Sequence, residues 1–208
     1  MPNATVGYCS PCGERRGPGV GMFEYVVVLT GVVIGLALAH LMQGIARIIE
    51  HPTRVQIWWV HLGWVFYMII FAVFWWWFEF RLRLVGNWSF QLYGFVLVYA
   101  FFIYLICALL FPNDITPHQS FEGYFIARRR WFFGMLIAWR GIDLVDTLAK
   151  GTAYFKSLGP EYPIGTAFTV FLFIVGLISP RARVQAAVML IALTYAISWI
   201  ARVYDVAR

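Results

Sequence analysis

Apolar residues along this chain come in long unbroken runs, and the polar residues fall between them as punctuation. Six such runs occupy 23–42, 57–80, 88–111, 131–149, 163–179 and 184–200. Each is close to the roughly 17–25 residues that cross a hydrocarbon core as a helix, the last two standing at the short end of that range. Backbone polar groups in lipid must bond within their own segment or around a closed barrel, and runs without inside–outside alternation exclude the barrel. The pattern predicts an all-α, polytopic membrane protein with six transmembrane helices in one domain, residues 22–208.

Breaker residues support the same division: His51-Pro52-Thr53, Gly86-Asn87, Pro112-Asn113-Asp114, Gly159-Pro160 and Ser179-Pro180 all fall between runs. Trp58, Trp59, Trp75, Trp76, Trp77, Trp88 and Trp131 lie near run ends, where an amphipathic indole prefers the headgroup level. The longest connection, 112–130, has its own pattern. Thr116-Pro117 reads as a cap and first helical residue, and Phe121, Tyr124 and Phe125 recur at i, i+3, i+4. This predicts a short interfacial helix before the fourth span, its apolar side at the acyl boundary and Arg128, Arg129 and Arg130 on lipid phosphates.

Composition sharpens the exclusion. With 62% of 208 residues hydrophobic and 12% charged, too little polar sequence remains for a sizeable soluble catalytic or nucleic-acid-binding domain. The net charge of +6 resides mainly at run ends, so its expected partner is an anionic lipid headgroup and not nucleic acid. Basic residues divide almost evenly between the two faces. With Met22 as the start, the flanks of the first run favour a cytoplasmic second face, the one carrying Arg128, Arg129 and Arg130, in a bacterial inner membrane.

Residues 1–21 read as a disordered tail, with Met22 as an alternative start. Arg15-Arg16 ahead of Ala37-Leu38-Ala39 also has the outline of a signal peptide, but Glu24 interrupts it and the run is long enough to span. Cys9 and Cys12 form a lone Cys-x-x-Cys without a second ligand pair, so no metal site is expected there.

Candidate chemistry rests on polar residues placed where they are costly. Arg140, Asp143 and Asp146 share one arc of the fourth run, and each costs about 2.5–3.5 kcal/mol near mid-membrane. Gly134, Ala138 and Gly141 cluster opposite, so the helix is expected to pack on one face and present a polar intramembrane path on the other. Arg140 and Asp143 can neutralise each other at i, i+3, with Asp146 on Arg81 or Arg83; Glu79 reads as part of a solvated cluster with the same two arginines.

His40 and His61 lie seven residues from Arg47 and Arg54 on the two arms of the first hairpin, which brings the imidazoles to similar depth. Such a pair suits a proton relay, a metal or a b-type haem, or else hydrogen bonds to neighbouring helices. Gly31, Gly35 and Ala39 form a small-residue stripe that can pack within the bundle or against a second protomer.

No phosphate-cradling glycine loop, nucleophile elbow or metalloprotease signature is present, so an enzyme is the least favoured class. The expectation is a small transporter or channel-like protein, oligomeric because six helices leave little room for a gated pathway. The alternatives are an accessory or scaffold subunit binding another membrane protein, and a haem or metal redox protein built on His40 and His61.

Overall fold

The computed structural model describes residues 22–51, 56–79, 90–112, 120–149 and 159–206. They form six helices: α1 (Met22–Glu50), α2 (Trp59–Glu79), α3 (Phe90–Ala108), α4 (Phe121–Ala149), α5 (Glu161–Ile178) and α6 (Ala182–Val206). Five of them, all but α4, are long and apolar enough to cross a membrane. α4 has the length, 29 residues, and runs in the bundle beside the others despite its charges. Among the described residues the only β-pairing is an isolated bridge between Gln56 and Ser120.

The helices close a ring in the order α1, α3, α4, α5, α6, α2, and α2 also reaches across to α3 and α4. That central position suits the composition of α2, apolar on every side apart from one polar residue near each end, His61 and Glu79. Its exposed Trp59 and Trp76 lie seventeen residues apart, about 26 Å along a helix, which matches a hydrocarbon core of about 30 Å. Trp131 on α4 is likewise exposed. The protein is therefore a helical membrane protein with aromatic residues at both rims.

Several helices extend past their apolar runs. α1 continues to Glu50 because Ile48 still packs on the core while Arg47 and Glu50 turn to the polar side. The predicted interfacial helix is corrected more substantially: it is the first third of α4, continuous with the span. Phe121, Tyr124 and Phe125 do not lie at the lipid boundary but are buried in the bundle against His61, Phe111, Trp58 and Trp64. Ser120 starts the helix, its Oγ accepting the Glu122 N–H at 3.2 Å, and the Phe121 N–H donates to the Gln56 carbonyl. Thr116 and Pro117, the predicted cap, lie outside the described residues, as do 1–21.

Close helix approach occurs at glycines other than those predicted. A Cβ on Gly176 would stand 2.5 Å from the Phe133 ring, one on Gly63 would meet Met189, and one on Gly44 would meet Phe111. By contrast, Gly35 and Gly134 have nothing within 4 Å, Gly31 meets only Trp76 at 3.4 Å, and Ala39 and Ala138 are exposed. Of the predicted small residues, Gly31 packs on the Trp76 indole within the bundle, whereas Gly35, Ala39 and Ala138 face outward.

This distinction predicts opposite outcomes for the same substitution. Gly176→Ala should cost about 1–3 kcal/mol through overpacking on Phe133, lowering the thermal midpoint in detergent, whereas Gly35→Ala should leave it unchanged or slightly raised.

Candidate functional site

Two polar clusters occupy opposite ends of the bundle. At the second face, α3 ends inside protein, and helix ends leave carbonyls without intrahelical partners. Side chains from three other helices supply the donors. The Tyr124 hydroxyl of α4 donates to the Leu109 carbonyl at 3.3 Å, and His61 Nε2 of α2 donates to the Leu110 carbonyl at 2.7 Å. Arg47 Nη1 of α1 donates to the Pro112 carbonyl at 3.3 Å. Leu109, Leu110 and Pro112 at the α3 exit are held this way, and His40 stands beside them on α1.

For His61 the collar supplies the alternative to a ligand role, a hydrogen bond to a neighbouring helix. His61 is wholly buried, its Nε2 is committed to a carbonyl, one ring face stacks on Phe121 at 4.6 Å, and Phe111 meets it edge-on at 5.1 Å. A porphyrin has no approach. No group of three or more His, Cys, Asp or Glu among the described residues is placed to hold a metal ion. Cys107 is buried beside the collar as a small apolar side chain.

The cluster at the first face contains the charged arc of α4. Asp143 accepts from two phenols on different helices, Tyr99 of α3 at 3.0 Å on Oδ1 and Tyr162 of α5 at 2.9 Å on Oδ2. Thr147 donates to the Asp143 backbone carbonyl at 2.9 Å, and its hydroxyl lies 2.9 Å from that of Tyr162. The expected pairing of Arg140 with Asp143 is present but loose, Nη1 to Oδ2 being 3.7 Å, beyond hydrogen-bond length. The guanidinium instead lies over the Trp139 ring, 5.4 Å from its centroid.

Neighbouring rings fix the depth of this cluster. Trp139 packs edge-on against Phe71 at 4.4 Å, and Tyr99 lies between Trp139 and Trp75, 5.1 Å from each. Asp143, one turn beyond Trp139, is therefore level with Trp75, beside the exposed Trp76 and Trp77. The carboxylate belongs to the first-face rim, not the middle of the membrane. Asp146 is buried nearby, and both it and Glu79 act electrostatically on the Tyr99 hydroxyl. Glu79 is also buried, which corrects its reading as a solvated residue. Arg81 and Arg83, the expected partners of Asp146, lie outside the described residues.

Between the clusters, Trp64 is packed by Tyr67, Phe125, Phe132, Phe133 and Phe173, closing the second-face half of the interior with rings. Tyr99, Tyr162 and Trp139 were not candidates in the sequence. A Tyr or Trp in an aromatic-rich span reads as core or belt, and only the partner across the helix interface distinguishes it. On the second-face surface Arg128 and Arg130 are exposed, Arg128 over the Tyr124 ring at 4.8 Å, while Arg129 donates to the Ile126 carbonyl at 2.7 Å. No known protein family, curated protein or solved structure matches the chain.

The collar predicts that His61→Ala strands the buried Leu110 carbonyl and costs about 1–3 kcal/mol, read as a fall in the thermal midpoint of the purified protein. His40→Ala should cost less, because His40 is only partly buried.

Proposed function

We propose that the protein is a small transporter or channel-like protein whose cation- or proton-handling group is Asp143. The observation that carries this reading is a carboxylate near one membrane rim, held by hydroxyls from α3 and α5 and only loosely neutralised by Arg140. Ionisable groups within membrane helices are costly and mark ion or proton pathways more often than surface charges do. Tyrosine and threonine hydroxyls can pass a proton or coordinate a small cation, and each can give up its bond to the carboxylate in exchange. In this reading the aromatic packing around Trp64 closes the path toward the second face.

In this reading the second face is cytoplasmic in a bacterial inner membrane, with Arg128, Arg129 and Arg130 on anionic headgroups. A second reading is favoured by the outward Gly35 and Ala39 on α1 and Ala138 on α4. Small residues on the outer surface admit a close-packed helix of a second protomer or of another membrane subunit, which makes the protein an accessory or oligomeric component.

Proteoliposomes loaded with a pH-sensitive dye and clamped by a potassium gradient test the transport reading. Flux should be present in the unaltered protein and lost in Asp143→Asn, with Tyr162→Phe reduced but active. Equal flux through the Asn variant removes Asp143 from the mechanism.

A further inference from the structure

Arg140 occupies an unusual position. Its guanidinium lies over the Trp139 indole, 5.4 Å from the ring centroid, and its Nη1 faces Asp143 at 3.7 Å without reaching hydrogen-bond distance. Its buried Nε has no hydrogen-bond partner among the described residues. A structural arginine at a carboxylate normally forms the two-pronged, short contact that suits its planar fork. Here the better acceptor geometry of Asp143 is taken by Tyr99 and Tyr162 at 3.0 and 2.9 Å, and Arg140 is the weakest of the three partners.

The surroundings are those of a receptor for an organic cation. They combine a carboxylate, an indole face and two phenols that hold the carboxylate in place. Tyr99 is itself fixed by stacking on Trp139 and by the edge of Trp75. Trp139 is almost wholly buried, and its indole N–H has no partner among the described residues, so the ring is held by packing and not by a bond of its own. The side chains of Arg140 and Asp143 retain 19% and 20% exposure, so the pair is not sealed inside the bundle.

We propose that the Asp143, Trp139, Tyr99 and Tyr162 cluster is a binding site for guanidinium-bearing cations and that Arg140 is its built-in competitor, occupying the site until a ligand displaces it. This rests on the transport reading, since it names the substrate class of the same carboxylate. A planar guanidinium on a small apolar group stacks on Trp139, pairs with Asp143 and leaves Arg140 to swing toward the rim. Cation–π attraction and the carboxylate act together, and both strengthen as water is excluded. A hydrated sodium ion gains nothing from the indole.

The test is calorimetric titration of phenylguanidinium into nanodisc-embedded protein, with sodium at the same concentration as the control cation. The unaltered protein should bind phenylguanidinium, sodium should not compete, and Asp143→Asn should abolish binding. Arg140→Gln should bind more tightly, because a competitor present about nine-tenths of the time lowers apparent affinity about tenfold. Equal or weaker binding by Arg140→Gln overturns the proposal, since a purely structural arginine gives that result. Retained binding in the Asp143→Asn variant, or no binding by either the unaltered protein or Arg140→Gln, also overturns it. Asp143-dependent proton flux indifferent to phenylguanidinium overturns the proposal and leaves the transport reading standing. Phenylguanidinium binding without any Asp143-dependent flux does the reverse.

Discussion

Everything in this bundle depends on one rule of the membrane interior, that a backbone carbonyl without a donor stays unpaired at a cost of several kcal/mol. Most helices meet it by ending at the rim. α3 ends against other helices, and its exit is bonded by Tyr124, His61 and Arg47. These three side chains come from α4, α2 and α1, so a single helix end fixes the relative height of four helices. The first third of α4 must continue as helix to bring Tyr124 there, which explains why its apolar residues turn inward and not toward lipid.

The same rule places the chemistry at the other end. With the interior around Trp64 filled by rings, the charged groups that meet across helices lie at the level of Trp75 and Tyr99. Asp143 has hydroxyl partners from two neighbouring helices, while its own helix supplies only a distant arginine. The first-face cluster therefore has partners to exchange.

The helices were legible because the apolar runs are long and the breakers between them unambiguous. Their ends were less so: Ile48 is buried on a turn that hydropathy alone assigns to solvent, and Phe121 and Phe125 have the same spacing whether they face lipid or protein. The charged arc of α4 and the Arg140 to Asp143 pairing could be read from helical periodicity. Its depth could not, because that depends on Trp139 meeting Phe71 across a helix interface. The histidines show the opposite problem. Two imidazoles at equal depth invite a ligand reading, and the carbonyl that His61 bonds lies just past α3, whose exit carries no polar side chain to advertise the need.

The closed ring also bears on how the chain assembles. Helices enter the membrane in order of synthesis, yet α2 finds part of its packing on α6, where Gly63 receives Met189. Until α6 arrives, the flank of α2 at Gly63 lacks the Met189 side chain that fills it. α6 thus serves as the stave that closes the ring of helices.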